Sequence, residues 1–141
     1  QDGSMIVGQS NRGWNSYGNR SFGLQRLVPT GKVPLEVQKL EALNDGFKFT
    51  FTQPIQPTNW SQTKAQSYTY LLTAKYGSPE IDPKPLLLSD WTLSKEGLSL
   101  TVKCANLRAG YVHEFELPEV ISQEGQKIWH RLCAYTLNCI P

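Results

Sequence analysis

Three cysteines and two histidines are the residues of this sequence best suited to metal or thiol chemistry. A zinc site or a nucleophile and base pair needs further ligands or partners at matching geometry. No CxxC or CxxCH spacing is present. His113 shares a predicted strand face with Tyr111 and Phe115, which favours a structural role, and His130 is treated in the same way. We therefore predict no metal site and no catalytic residue.

The cysteines leave one candidate disulfide. Cys133 and Cys139 lie six residues apart in one predicted strand, so roughly 20 Å separates them if that strand is extended, which is too far for a disulfide. Cys104 and Cys139 end strands that run in the same direction in a sandwich, so we expect them near one pole. Cys104–Cys139 is the better candidate disulfide, with Cys133 as a buried thiol. Three reduced, buried thiols are the alternative.

Carboxylates and glycines give no catalytic pattern either. Glu114 and Glu116 alternate with the predicted core face, which indicates solvated side chains, whereas glycoside hydrolysis needs two carboxylates that flank a cleft. No GxSxG or HExxH motif occurs. Gly13, Gly18 and Gly23 recur every five residues without a following helix, so they do not form a phosphate-binding loop. We expect no cofactor and no independent enzyme activity.

Aromatic residues provide the remaining functional signal. Arg12, Trp14, Tyr17 and Phe22 lie in a segment rich in Gly, Asn and Ser, and Trp60 lies near a predicted strand end. Exposed aromatic rings beside Arg, Asn and Gln stack on sugars, but they also dock domains. We favour docking of residues 9 to 23 on a neighbouring domain, with carbohydrate binding as the alternative. Trp91 and Trp129 are expected in the core.

Length and charge limit what can position these residues. The 141 residues suffice for one ordinary domain and an extension. A net charge of +2 with interspersed signs does not indicate binding to nucleic acid or to an anionic membrane. No apolar run is long enough to span a membrane. The start, Gln1-Asp2-Gly3-Ser4, lacks the regions of a signal peptide, and we expect the sequence to be part of a longer chain.

The composition changes near residue 34. Residues 4–8 and 24–28 are short strand candidates that predict a hairpin with a long loop, and such a loop is too long to be without function in a compact domain. Pro29 to Pro34 is typical of a linker. We therefore divide the chain into an extension, residues 1–33, and a domain, residues 34–141.

Residues 34–141 show strand after strand. Phe47, Phe49 and Phe51 alternate with polar residues, which predicts a half-buried strand, and Leu98, Leu100 and Val102 are expected to face the same core. Six other features complete the prediction: a strand over 35–43, a short helix over 58–66, a strand with Tyr68, Tyr70, Leu72, Ala74 and Tyr76 on one face, a strand over 86–93, a strand with Tyr111, His113, Phe115 and Leu117 on one face, and a last strand over 129–137.

Leu107-Arg108-Ala109-Gly110-Tyr111 resembles a tyrosine corner, in which a buried tyrosine hydroxyl bonds to nearby backbone. The fold prediction is therefore all-β: a seven-stranded antiparallel sandwich of the immunoglobulin or fibronectin III type with an N-terminal hairpin.

Several short motifs resemble a known family. Residues 2–14 and 23–32 are similar to the end of the β-propeller in secreted bacterial proteins related to glucose/sorbosone dehydrogenases. Asp45-Gly46-Phe47, Tyr76-Gly77-Ser78-Pro79-Glu80 and Ala134-Tyr135-Thr136-Leu137-Asn138 resemble the immunoglobulin-like domain that follows it. The catalytic residues of that family lie in blades absent from this sequence. The resemblance implies a non-catalytic docking module, secreted or periplasmic, whose partner is a neighbouring domain of a parent protein in sugar oxidation or glycan processing.

Overall fold

The structure is a computed structural model that describes residues 2–10, 20–74 and 76–141. Backbone contacts divide the chain into two compact units, residues 1–33 and residues 34–141. Ten strands and one short 3-10 helix lie in the described residues. All strand pairs are antiparallel.

The first unit contains one hairpin. Strands β1 (Met5–Ser10) and β2 (Phe22–Leu27) pair without a break from Met5 opposite Leu27 to Ser10 opposite Phe22. An isolated two-stranded hairpin is marginally stable in water. Side-chain bonds supplement the ladder: Gln9 Nε2 donates to Gln25 Oε1 at 3.0 Å, and Arg26 forms an ion pair with Asp2.

The second unit is a β-sandwich of two four-stranded sheets. Its strands are β3 (Val37–Leu43), β4 (Gly46–Phe51), β5 (Lys64–Tyr70), β6 (Glu80–Pro85), β7 (Leu88–Leu93), β8 (Ser99–Cys104), β9 (Tyr111–Glu116) and β10 (Leu132–Leu137). One sheet has the order β3-β4-β8-β7 and the other β10-β9-β5-β6. The prediction of an all-β antiparallel sandwich is confirmed.

Phenylalanine rings from both sheets form the centre of the core. Phe47, Phe49 and Phe51 are buried as the alternation on β4 predicts. Phe115 on β9 makes edge-to-face contacts with Phe47 and Phe49, at centroid distances of 5.0 and 5.3 Å, a favourable arrangement for aromatic pairs. Leu100 and Val102 on β8 are also buried, whereas Leu98 lies before that strand and is partly exposed, so its core assignment was wrong.

The strand count of seven was wrong. Residues 80–85, which include Pro83 and Pro85, were not predicted as a strand, but they form β6 at the edge of a sheet, where a missing N–H is tolerated. The predicted helix over 58–66 shrinks to a 3-10 turn, Trp60–Gln62, capped by the side chain of Asn59. The last strand begins at Leu132 rather than at residue 129.

Gly46 makes the tight start of β4 possible. A Cβ atom built there would lie 1.9 Å from the carbonyl oxygen of Val102 on the neighbouring strand β8. Only a residue without a Cβ allows this approach of two backbones. The Asn44-Asp45-Gly46 turn between β3 and β4 therefore also sets how closely β4 and β8 meet.

Candidate interaction surfaces

The hairpin of the first unit carries one of the predicted contact residues. Phe22 is 81% exposed and lies on the same hairpin face as Ile6 and Leu24, which are also exposed. Residues paired in alternate positions share a face, so these three form an apolar stripe. The other predicted contact residues of this unit, Arg12, Trp14 and Tyr17, lie outside the described residues.

The tryptophans of the second unit are placed differently from the prediction. Trp60 is only 8% exposed and stacks on Trp91, with ring centroids 5.8 Å apart. It therefore has no free face for a ligand, and its prediction as a contact residue was wrong. Trp129, expected in the core, is 73% exposed. The buried neighbour Ile128 takes the core position instead.

An apolar hairpin tip, described for residues 71–74 and 76–79 between β5 and β6, was not predicted from the sequence. The predicted strand with Leu72, Ala74 and Tyr76 on its buried face ends at Tyr70. Leu72 is 90% exposed and Tyr76 is fully exposed. The tip is tied at its base by the Leu71 N–H, which donates to the Pro79 carbonyl at 3.0 Å. The adjacent pair Leu71-Leu72, which breaks the alternation of β5, was the signal that could have shown it.

A polar node around Arg108 replaces the predicted tyrosine corner. Tyr111 is half-buried, and its hydroxyl donates to the Asp82 carboxylate at 2.9 Å rather than to backbone, so that detail was wrong. The Arg108 guanidinium lies 3.5 Å from the centre of the Tyr111 ring and forms an ion pair with Asp82. It also donates to Ser67 Oγ at 3.2 Å and to the Asp82 carbonyl at 2.9 Å.

This node joins three strands to one loop. Asp82 is on edge strand β6, Ser67 is on β5 and Tyr111 begins β9. The hydrogen bond from Tyr111, with help from Arg108, lowers the pKa of the Asp82 carboxyl below its ordinary value. The arrangement holds a structure together and presents no free acid or base.

His113 is buried beneath the same loop and is neutral. Its Nδ1 lies 3.2 Å from the Tyr111 carbonyl oxygen, which can only accept, and its Nε2 accepts from the Arg108 backbone N–H at 3.3 Å. The proton must therefore sit on Nδ1. Burial is the main cause that lowers the pKa of His113, and the nearby charge of Arg108 acts in the same direction. Both ring nitrogens are used in structural bonds.

A groove of about 350 Å³ crosses the β10-β9-β5-β6 sheet. Glu114 and Glu116 both line it, but they come from one strand and so from one wall. Glu116 is paired with Lys64 at 3.1 Å and Arg131 at 3.4 Å. Glu114 accepts from Gln66 Nε2 at 3.1 Å. Carboxylates on one wall do not flank a glycosidic bond as hydrolysis requires.

The three thiols are free in this structure. Burial raises the pKa of Cys133 to about 12 and also raises the pKa of Cys104, so neither is a reactive thiolate. Cys104 and Ile140, the neighbour of Cys139, line one cavity of about 400 Å³. The Cys104–Cys139 disulfide stays a prediction.

Within residues 2–10, 20–74 and 76–141, no three His, Cys, Asp or Glu side chains are grouped so that they could hold a metal ion. The same residues contain no helix of the length and apolar character that crossing a membrane requires.

Comparison with known proteins finds similarity in structure alone. No family model matches the chain, and no curated protein matches its sequence. A crystal structure of the S-layer protein rSbsC(31-844) has a TM-score of 0.55 and 20% identity, covering 75% of this chain and 14% of that one. The structure of surface layer protein SbsC, domains 1–6, has a TM-score of 0.53 and 19% identity, covering 74% of this chain and 14% of that one. The crystal structure of the N-terminal part of the bacterial S-layer protein SbsC has a TM-score of 0.50 and 18% identity, covering 75% of this chain and 24% of that one.

These similarities correct the family resemblance. The chain spans less than a quarter of the length of each of these structures, and structural similarity at such low identity shows a shared fold alone. The similar structures are S-layer protein domains, so the resemblance to glucose/sorbosone dehydrogenase proteins was wrong. The glycine in Asp45-Gly46-Phe47 is required by the close approach of β4 and β8, which is a packing requirement and does not identify a family.

Proposed function

We propose that this chain is a non-catalytic structural module of a large protein that is secreted or displayed at the cell surface. The strand order carries the proposal. In the order β3-β4-β8-β7 the first sheet matches strands A, B, E and D of an immunoglobulin constant-type domain, and β10-β9-β5 matches G, F and C, with β6 added beside C. Folds of this kind serve as building blocks in many extracellular proteins.

The chemistry of the described surfaces supports a structural role. The buried His113 and the Arg108 node use their polar atoms in structural bonds. The groove carboxylates share one wall. The similar structures are domains of S-layer proteins, which adds support for a module in a multidomain surface protein.

Docking on an adjacent domain of the same protein is the action we assign to the described residues of the hairpin tip, 71–74 and 76–79. The side chains of Leu72 and Tyr76 present apolar area to water, and covering that area with a neighbouring domain lowers the free energy. Tyrosine is enriched at protein interfaces because it combines apolar area with a hydroxyl. The apolar stripe of Phe22, Ile6 and Leu24 offers a second contact of the same kind.

Surface labelling tests the location. An antibody raised against residues 34–141 should label intact cells of the source organism, or detect the protein in the medium. An antibody against a cytoplasmic protein of the same cells is the control for lysis. Labelling that appears only after permeabilisation would overturn the proposed location.

Limited proteolysis of the complete parent protein tests docking. Replacing Leu72 and Tyr76 together by Ser should make cleavage between this module and its neighbour at least several-fold faster, because the apolar contact is lost. Lys95→Ser, in an exposed turn, is the matched control and should leave the rate unchanged. Equal cleavage rates in all three proteins would contradict docking through the tip.

Carbohydrate binding is the second candidate, and exposed Trp129 is the observation that favours it. Its ring is free on the surface beside His130, whose Nδ1 lies 2.6 Å from Glu36 Oε1. An aromatic platform with polar neighbours is able to stack on a sugar ring. Affinity electrophoresis in gels with soluble polysaccharides tests it: retardation that Trp129→Ala abolishes would support sugar binding over docking.

A further inference from the structure

The peptide bond between Asp82 and Pro83 lies in a strained part of edge strand β6. Asp82 adopts a left-handed φ of 53°, which is uncommon for residues other than glycine. A residue that precedes proline is further restricted towards extended conformations. The pairing of β5 with β6 shifts between Ser67 and Thr69, so this bond lies where the ladder is interrupted. Backbone strain of this kind clusters at functional sites.

The Arg108 guanidinium contacts both the carboxylate and the main-chain carbonyl group of Asp82. Its Nη1 donates to the Asp82 carbonyl oxygen at 2.9 Å, and its Nη2 forms the ion pair with the carboxylate. The carboxylate is therefore not free to act on another molecule, but it is held beside the carbonyl group of its own residue. The Arg108 side chain is only 15% exposed, so water screens its charge weakly.

A peptide bond between aspartate and proline has an intrinsic route to cleavage. The carboxylate can attack the carbonyl carbon of its own residue, because the product is a five-membered ring. The proline nitrogen is more easily protonated than that of other peptide bonds, which makes it a better leaving group. The attack places negative charge on the carbonyl oxygen. A guanidinium that already donates to this oxygen stabilises that charge, as the donors of an oxyanion hole do.

We propose that the folded chain cleaves its own peptide bond between Asp82 and Pro83, with the Asp82 carboxylate as nucleophile and Arg108 as the donor to the carbonyl oxygen. A carbon–oxygen bond forms between the carboxylate and the carbonyl carbon. The carbon–nitrogen bond to Pro83 breaks, and the Pro83 nitrogen takes a proton from the solvent. Water then opens the cyclic anhydride and leaves Asp82 with two carboxylates. The reaction occurs once in each chain and does not depend on the proposed function.

The groups that face the Asp82 carboxylate determine how the cleavage rate depends on pH. They are the Tyr111 hydroxyl of β9 at 2.9 Å, Arg108, and Lys84 of β6 at 3.6 Å. The hydrogen bond from Tyr111, with help from Arg108 and Lys84, lowers the pKa of Asp82, so the nucleophile stays ionised in mild acid. Protonation of the Pro83 nitrogen is favoured by acid. The rate should therefore rise between pH 7.5 and pH 5.0.

Asp90 offers a comparison within the same molecule. It also has a left-handed φ, of 52°, and it pairs with Lys103 at 3.0 Å. The residue that follows it is Trp91 rather than proline, and its carbonyl oxygen accepts from the Thr92 hydroxyl at 3.5 Å rather than from a guanidinium. Strain and an ion pair are thus present without the leaving group and the carbonyl donor. We expect the bond between Asp90 and Trp91 to stay intact.

Mass spectrometry of the full chain, after several days at pH 5.0 and at pH 7.5, tests the proposal. The folded protein should give fragments 1–82 and 83–141, and more of them at pH 5.0. A thermal melt at each pH verifies that the protein is folded. Each fragment supplies strands to both sheets, so the cleaved chain stays assembled and is denatured before analysis. The same chain in guanidinium chloride should cleave at least tenfold more slowly, because the carbonyl donor is lost.

Two variants test the assigned roles. Arg108→Lys should slow cleavage of the folded protein at least tenfold, because an ammonium lacks the planar fork that holds the carbonyl and the carboxylate together. Arg131→Lys is the matched control and should cleave like the wild type. Asp82→Asn removes the carboxylate and should stop the reaction. If Arg108→Lys fails to fold, the comparison of folded and denatured wild type still decides.

Cleavage that is no faster in the folded chain than in the denatured one would overturn the proposal, as would an intact chain under both conditions. Equal cleavage after Asp90 would also overturn it. A folded Arg108→Lys variant that cleaves at the wild-type rate would show that Arg108 does not assist the reaction, and would overturn it as well.

Discussion

Arg108 shows how one side chain fixes the geometry at an end of the sandwich. Its guanidinium is largely buried and donates to Ser67 and to the backbone of Asp82, while its flat face lies on Tyr111. Lysine has the charge but neither the planar fork nor the stacking face. The position therefore requires arginine rather than any cation.

The first prediction follows from that difference. Arg108→Lys should lower the free energy of unfolding by about 1–3 kcal/mol, the cost of hydrogen bonds lost at a largely buried site, as measured by urea denaturation. Arg131→Lys is the matched control, since Arg131 is about half-exposed, and its loss should be smaller. Equal losses would mean that the node contributes no more than an ordinary surface arginine.

The second prediction concerns pH and His113. The unfolded chain protonates this histidine near pH 6.5, whereas the folded protein holds it neutral and lowers its pKa. The unfolded state therefore binds more protons below about pH 6.5, and stability falls as the pH decreases from there towards the lowered pKa. Above pH 6.5 the contribution is fully present.

Thermal unfolding at pH 7.5 and pH 5.0 measures this effect. His113→Phe should be less stable than the wild type at pH 7.5, because the Arg108 N–H loses its acceptor, but its melting temperature should depend less on pH in this range. Asp82 titrates at lower pH and does not interfere. A variant with the same pH dependence as the wild type would show that His113 is not the group responsible.

At the scale of the strands, close packing between β4 and β8 is the dominant constraint. Gly46→Ala should cost on the order of 3 kcal/mol or more, because the added Cβ meets the Val102 carbonyl oxygen and backbone must move. Gly8→Ala is the control, since nothing lies within 4 Å of a Cβ there. Denaturant midpoints of the two variants should differ clearly, and similar midpoints would contradict the close approach.

Phe49 tests the core between the two sheets. It is fully buried and meets Phe115 edge to face, so Phe49→Ala should lower the free energy of unfolding by about 3–5 kcal/mol. Thr50→Ala, the half-buried neighbour on the opposite face, should cost much less. A loss below about 1 kcal/mol for Phe49→Ala would place this ring outside the core.

Strands with strict alternation could be predicted from the sequence, and the others could not. The run from Phe47 to Phe51 shows its buried face directly, because apolar and polar residues alternate. Two of the six residues of strand β6 are prolines and all six are exposed, so nothing in its composition distinguishes it from a loop. The bond between Tyr111 and Asp82 was beyond local reasoning, since these residues are 29 positions apart and meet only when β6 joins the sheet edge.

At the scale of the whole molecule, the two compact units differ in what stabilises them. Residues 34–141 contain the buried phenylalanine core, whereas the hairpin of β1 and β2 exposes apolar side chains such as Ile6, Phe22 and Leu24. Exposure of this kind is visible only in three dimensions. Alternation predicted a buried face for Leu72 and Tyr76, and it could not show that the sheet ends before them.

We propose that residues 34–141 form a self-sufficient module, and thermal unfolding of this segment produced alone tests this proposal. Because the described core lies within these residues, the segment should unfold in one cooperative transition, with a midpoint within a few degrees of the corresponding transition of the full chain. A segment without a cooperative transition, or one whose midpoint falls by more than about 10 °C, a loss on the order of 1–2 kcal/mol or more, would contradict the claim.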